Sequence, residues 1–314
     1  VYSANTTTPG TLSGFVKNSA TGALLALSGS PFPEHFAPRQ VAIDPGGKFL
    51  YALNPSTNNV SMFQINGTTG ALTEVPKSPF STPGGSNPQA IAIGGGGKYV
   101  FIGNATSASL ANDGSIDIFS VDAVSLALVA VTSVDTKSQV AALASDPKGK
   151  NLYALLGPNP PLGLTAAVVN TYTIDSGSGL LLPLGNVSAG DTGRSLAMDE
   201  QGRWLFAGSG QAAGEVISFP ISPLDGSLQS GQLSFSLGTG NFPAAMAEDA
   251  SGQFLFVAAG NAIRILAVDT ASGGLKETPV SPVQLFASAS LIAGDPQGPF
   301  LYVLAGGGLR GFRI

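Results

Sequence analysis

The sequence predicts an all-β chain, a seven-bladed β-propeller of four-stranded antiparallel blades, with six blades as the alternative count. Three observations carry that expectation. Seven short apolar strands place an aromatic residue, or once a leucine, at their middle: Phe15, Phe63, Phe119, Tyr172, Phe219, Leu266 and Phe312, spaced by 48, 56, 53, 47, 47 and 46 residues. A period near fifty with several strands per unit is the signature of blades repeated around an axis. A tight turn recurs at one register of each unit, and the abundance of Gly (42) and Pro (22) suits many short strands joined by such turns.

The clearest unit covers residues 40–80. Val41-Ala42-Ile43 is a short apolar strand, closed by the turn Asp44-Pro45-Gly46-Gly47. Proline presets the first turn dihedral and glycine accepts a positive one, so a hairpin is expected there. Phe49-Leu50-Tyr51-Ala52-Leu53-Asn54 is the second strand, and Val60-Ser61-Met62-Phe63-Gln64-Ile65 the third, alternating as a half-buried strand does. Thr69-Gly70-Ala71-Leu72 then turns the chain into an outer strand ending at Ser78-Pro79-Phe80.

The hairpin turn recurs at residues 94–98, 146–150, 199–203, 249–253 and 295–299. The strands after it open Tyr99-Val100-Phe101, Asn151-Leu152-Tyr153, Trp204-Leu205-Phe206, Phe254-Leu255-Phe256 and Phe300-Leu301-Tyr302. The outer turn recurs at Thr21-Gly22-Ala23-Leu24, Asp225-Gly226-Ser227-Leu228 and Gly273-Gly274-Leu275, and the outer-strand tripeptide at Ser30-Pro31-Phe32. Strand types number seven second and seven third, but six first and six fourth. The unbroken repeat makes residues 1–314 one propeller domain. The longest irregular stretches, residues 105–113 and 157–165, are both inserted between second and third strands.

Composition excludes several function classes. Net charge is −5 and no Lys/Arg cluster occurs, so no nucleic-acid footprint is expected. No apolar run reaches the roughly 18 residues of a membrane span. The chain has no cysteine, which removes disulfides, thiol catalysis and thiolate metal sites, and one histidine cannot build a histidine metal site. No cofactor and no metal are expected. Sparse charge (11%) and many small hydroxyl residues lean toward an exported bacterial protein, periplasmic or secreted, and a monomer. Sequons stand at Asn5-Thr6-Thr7, Asn59-Val60-Ser61 and Asn66-Gly67-Thr68.

Phe49-Leu50-Tyr51-Ala52-Leu53-Asn54, followed by Thr69-Gly70-Ala71-Leu72 and Ser78-Pro79-Phe80, resembles the bacterial seven-bladed lactonase-like propellers, the group that includes the propeller type of 6-phosphogluconolactonase. It is also similar to the Tyr-Val-x-Asn repeat proteins of bacterial surfaces. The resemblance covers essentially the whole chain. It implies a site in the central depression, with His and Arg beside the entrances to the inner strands. Gly193-Arg194-Ser195-Leu196 keeps the Arg, but Ser195 stands where His would be, and Gln139 in Ser138-Gln139-Val140-Ala141 replaces another.

The single histidine, His35, lies in Pro33-Glu34-His35-Phe36-Ala37-Pro38-Arg39, the densest ionisable cluster of the chain. A Glu beside a His can orient it as a general base, and an Arg can stabilise an oxyanion or hold an anion. His35 and Glu34 are therefore the candidate catalytic pair. Arg39, Gln89, Gln139, Arg194 and Asn241 are the candidate ligand-binding residues, with Lys137, Ser288 and Ser290 at further entrances. Asp191 and Arg194 could instead form a surface pair. Gly94-Gly95-Gly96-Gly97-Lys98 lacks the spacing of a phosphate loop and reads as a hairpin. Residues 112–117 supply too few oxygens for a calcium loop. Asp44, Asp146, Asp199, Asp249 and Asp295 recur at one turn position, which makes them structural caps.

The leading functional expectation is an extracytoplasmic propeller that binds a small polar or anionic ligand, or a protein partner, in its depression. The alternative is a lactone hydrolase with His35 or Glu34 as base and Arg39 and Arg194 as oxyanion stabilisers. A structural surface-repeat protein is the third.

Overall fold

A computed structural model describes residues 1–6, 9–107, 113–210, 213–229 and 233–314. Seven antiparallel sheets follow one another along the chain and make a seven-bladed propeller. Blade 1 holds Tyr2–Asn5, Thr11–Lys17 and Leu24–Ala26, with Phe32–Pro33 also on the middle strand. Blade 2 runs Gln40–Ile43, Phe49–Asn54, Asn59–Ile65 and Leu72–Glu74, with Phe80–Ser81 pairing on the third strand. Blade 3 is Gly85–Gly94, Tyr99–Ser107, Ser115–Asp122 and Ala127–Asp135; blade 4 is Val140–Ser145, Asn151–Leu156, Val168–Ile174 and Leu181–Ser188. Blade 5 is Gly193–Met198, Trp204–Ser209, Ala213–Pro220 and Leu233–Thr239. Blade 6 is Pro243–Glu248, Phe254–Ala259, Ala262–Val268 and Leu275–Glu277, with Val283–Gln284 on its third strand. Blade 7 has three strands, Ala289–Gly294, Phe300–Ala305 and Gly308–Arg313. Among the described residues blade 1 shows no first strand and blade 7 no fourth, in line with the strand count of the sequence.

The chain divides into two compact units, each described by itself: Val1–Asn18 with Ala23–Ala154 and Tyr172–Pro183, and Ser19–Gly22 with Leu155–Thr171 and Leu184–Ile314. In the first unit the second strand of blade 2, Phe49–Asn54, is buried along its whole length. A strand covered on both faces must be apolar at nearly every position, which is why its sequence runs rather than alternates. Phe49, Tyr51, Val60 and Met62 of blade 2 pack with Val100, Ile102, Phe119 and Leu128 of blade 3. In the second unit Trp204, Phe206 and Val216 of blade 5 pack with Leu255, Val257 and Leu266 of blade 6, and Leu275 packs against them.

The recurrent turn acids do what their register predicts. The Asp44 carboxylate accepts from the backbone N–H groups of Gly46, Lys48 and Phe49, and Asp146, Asp199, Asp249 and Asp295 repeat the arrangement. Residues 94–98 form the hairpin between the first two strands of blade 3, with Gly95, Gly96 and Gly97 at φ of 60°, 66° and 93°. The outer strands of blades 1, 2 and 6 differ from the sequence expectation. Each is broken into two short pieces around a Ser-Pro bond in the cis form, Ser30-Pro31, Ser78-Pro79 and Ser281-Pro282. The serine hydroxyls accept from the backbone N–H of Gly14, Met62 and Ile265, so side chain replaces backbone where the ladder is interrupted. The calcium-loop reading at residues 112–117 and the insertion at 105–113 fall partly on residues outside those described.

The outer turns lock neighbouring sheets together. The φ of Gly70, Gly179 and Gly273 is +71°, +77° and +71°. The Tyr2 hydroxyl donates to the Gly70 carbonyl at 2.5 Å, while Gly179 lies on the Tyr99 ring and Gly273 on the Trp204 indole. Gly22 repeats the contact on the Phe300 ring, and the Tyr302 hydroxyl donates to the Gly22 carbonyl at 3.1 Å.

Candidate functional site

Buried polar side chains lie beneath the strand entrances and hold the entrance backbone. In blade 2, Asn54 closes the second strand and Asn59 and Ser61 open the third. The Asn54 amide donates to Asn59 Oδ1 at 2.9 Å, to Ser61 Oγ at 3.0 Å and to Glu34 Oε1 at 3.1 Å. Glu34 also accepts from the Ser61 hydroxyl and from the Phe36 N–H, and it is only 2% exposed. Blade 3 repeats the plan with an internal acid. Asn104 donates to Ser115 Oγ and to Asp117 Oδ2, and Asp117 Oδ1 accepts from the Gly84 N–H at 2.9 Å. Burial pushes the Asp117 carboxyl up, against the opposing pull of its hydrogen bonds with Asn104, Ser133 and Gly84. In blade 5 the Ser209 hydroxyl accepts from the Thr192 N–H.

The two candidate catalytic residues, Glu34 and His35, lie in different surroundings. Glu34 is buried and accepts from three donors. His35 is not oriented by Glu34. Its side chain is 72% exposed, and Nε2 lies 3.4 Å from Glu74 Oε2 on the outer strand of blade 2. Burial alternates from residue to residue along 31–35, so Glu34 is buried and His35 exposed.

The first unit brings together two of the predicted ligand residues. Arg39 Nη1 donates to Gln89 Oε1, and Gln89 Nε2 in turn donates to Asn87 Oδ1 at 2.7 Å. Asn87, at φ +54°, is held by a bond from its N–H to Asn58 Oδ1. The exposed Arg39 and the half-buried Gln89 are thus hydrogen-bonded to each other at adjacent strand entrances. Gln139 is exposed in the same unit, between the bend at residues 137–138 and the strand from Val140.

In the second unit Arg194 is exposed at the entrance to blade 5. Its Nε donates to the Gly210 carbonyl at 3.0 Å, and its guanidinium carbon sits 4.6 Å from the centre of the Phe242 ring. Stacking on an aromatic face fixes the plane of a guanidinium while leaving its edge able to bind. Among the described residues no Asp191–Arg194 ion pair forms, so Asp191 remains an exposed carboxylate at that entrance. Asn241 is turned to its own loop, donating to the Leu237 carbonyl at 3.0 Å. Ser195, at the position where the resemblance implies a histidine, donates to the Pro243 carbonyl and is buried. The sequence reading missed Phe242 as the platform for Arg194. Its signal was weak, one aromatic at the end of a loop of small and polar residues, Gly238-Thr239-Gly240-Asn241.

Among the described residues no group of three or more His, Cys, Asp and Glu side chains converges in a way that could hold a metal ion. Among the described residues no helix is long and apolar enough to cross a membrane.

Comparison with known proteins places these features in a family. The model described as Lactonase, 7-bladed beta-propeller, matches residues 1–87 and 99–235. A 64-residue segment is 39% identical to a 6-phosphogluconolactonase of Formosa agariphila; it covers 20% of this chain and 18% of that relative's length. Among solved structures, a candidate 6-phosphogluconolactonase of Bacteroides uniformis superposes with a TM-score of 0.73 at 19% identity, over 90% of this chain and 81% of that one. The periplasmic gluconolactonase of Pseudomonas aeruginosa gives 0.70 at 20% identity, over 96% and 87%. At such identities the superpositions speak for the fold.

Proposed function

The chain belongs to the seven-bladed β-propeller lactonase family, and from that membership we propose that it is a lactone hydrolase working at the blade 5 entrance. The observation that carries the reading is the exposed, ring-stacked guanidinium of Arg194 in the same strand entrance as the exposed Asp191, three residues earlier in sequence. Lactone opening adds water to a carbonyl, whose oxygen gathers negative charge before the ring C–O bond breaks. Arg194, with its Nε engaged on Gly210, offers Nη–H donors to that oxygen. Asp191 takes the proton from the attacking water and returns it to the departing ring oxygen. Product is the hydroxy acid, whose carboxylate an arginine also suits.

The test is hydrolysis of a sugar-lactone panel followed by acid release. Arg194→Ala is expected to lose about 10²-fold in kcat, the scale of one oxyanion donor. Asp191→Asn should lose a similar amount, and His35→Ala should stay within two-fold of wild type. Absence of turnover above the spontaneous rate across the panel overturns the reading.

A second reading, binding without turnover, is favoured by one observation: the two acid–base candidates nearest the resemblance, Glu34 and His35, are committed to Asn54 and Ser61 and to Glu74. It predicts calorimetric binding of a lactone or its hydroxy acid with no acid release.

A further inference from the structure

Asn54, Asn104 and Ser209 are, in blades 2, 3 and 5, the last second-strand residues to pair with the third strand. They stand opposite Asn59, Ser115 and Glu215. In blades 2 and 3 the asparagine at this register donates to a buried acid, Glu34 or Asp117. Serine is too short to do the same and has no amide to donate. The Ser209 hydroxyl accepts from the Thr192 N–H, and the acid of blade 5, Glu215, is left without a donor. Among the described residues no hydrogen bond or ion pair reaches its half-buried carboxylate. Withdrawing such a group from water unpaired costs free energy that a donor on a bound ligand would recover.

The backbone around Glu215 keeps that carboxylate at the strand entrance. Gly214 pairs with Gly238 and Glu215 with Ser236, so the outer strand skips one residue in a β-bulge. Bulges re-aim side chains and concentrate beside functional sites. The entrance loop, in turn, offers no side chain at Gly190. A Cβ there would stand 2.3 Å from Ser209 Oγ and 2.6 Å from Glu215 Oε1, on a backbone with φ of +79°. The carboxylate therefore lies against bare backbone, one residue before Asp191. Blade 3 has the same close approach of Gly84 to Ser133 Oγ and Asp117 Oδ1, but there the Gly84 N–H donates to the acid. Arg194 reaches the same strand end, its Nε held by the carbonyl of Gly210, the residue after Ser209.

We propose that Glu215 is a specificity-determining residue, accepting from one ring hydroxyl of a lactone, or from a vicinal pair, while Arg194 holds the carbonyl oxygen. The proposal rests on the lactone-hydrolase reading of the blade 5 entrance and adds to it a residue that discriminates between lactones. A carboxylate oxygen is an acceptor, and a lactone ring carries no donors except its hydroxyl groups. The role of Glu215 is selection, and proton transfer stays with Asp191. A hydrogen bond between a neutral group and a charged one is worth about ten- to hundred-fold in binding.

The test compares each sugar lactone of the panel with the unsubstituted lactone of the same ring size, γ-butyrolactone or δ-valerolactone. Wild type is expected to prefer the hydroxylated ring. Glu215→Ala should lose about ten- to hundred-fold of that preference in kcat/KM, chiefly through KM, with the unsubstituted lactone turned over as before. Glu215→Gln keeps one accepting oxygen and should lose less, and thermal melts like that of wild type show that both variants are folded. The same comparison is read by calorimetry on the corresponding hydroxy acids. Loss of the preference in Glu215→Ala binding supports the proposal even where no lactone is hydrolysed, an outcome that removes only the catalytic reading. Hydrolysis with an undiminished preference in Glu215→Ala overturns the proposal and leaves the hydrolase standing. An equal loss on both kinds of lactone, or no preference in wild type by either measurement, overturns it as well.

Discussion

Glu34 and His35 are adjacent, yet their surroundings are opposite. A carboxylate 2% exposed and held by Asn54, Ser61 and the Phe36 N–H tethers a loop, while an imidazole beside Glu74 faces solvent. Residue type alone cannot tell these apart, because burial depends on which loop folds over which strand end. That is why the turn acids at Asp44 and its counterparts were legible, through recurrence at one register, and the role of Glu34 was not. Glu248 at the end of the first strand of blade 6 shows the same dependence. Burial, and then the neighbouring Asp199 charge, push its carboxyl up to about 8 from an ordinary 4.5. The folded state therefore holds this proton more tightly than the unfolded chain. Its stabilising contribution is full below pH 4.5 and is lost as pH rises through 8. Glu248→Gln should melt higher than wild type at pH 9 and flatten the fall between pH 5 and 9, read from thermal melts across that range.

Among elements, the outer turns carry the tightest sequence requirement. Gly273 has a positive φ and lies against the Trp204 indole, so a Cβ there meets both backbone strain and the ring. Gly47 has a φ of +64° with open space around it. Gly47→Ala is expected to cost about 1 kcal/mol, the strain alone, and Gly273→Ala clearly more, as compared in urea unfolding. The recurrent Gly-Leu turns were readable because a glycine at one register signals a conformation other residues resist. The split outer strand was not. Val283 follows Ser281-Pro282 where Phe32 and Phe80 follow the other two serine–proline pairs, which hid the third copy, and the ladder break is made by serine hydroxyls rather than by a distinctive residue.

For the whole molecule, blade number was legible because the period is a property of the entire chain and survives the loss of any single motif. Function was less so: family membership moves the reading from simple binding toward lactone hydrolysis, while the residues that would perform it are set by entrance loops with no repeat to announce them. The Gly22 contact on Phe300 has the geometry of Gly273 on Trp204, although it joins the chain's first outer turn to its last sheet. Gly22→Ala is thus expected to lower the midpoint of global unfolding about as much as Gly273→Ala. A melt in which Gly22→Ala is neutral would mark that contact as dispensable.

The Tyr302–Gly22 hydrogen bond spans 280 positions of sequence. During synthesis from the N-terminus, the turn at Gly22 emerges long before its aromatic partners Phe300 and Tyr302. The glycines at 70, 179 and 273 meet rings that are already made. The nascent turn at Gly22 must therefore wait, uncovered, until the strands of blade 7 have been made. Its demand on chaperones is greatest early, and that demand ends when blade 7 arrives.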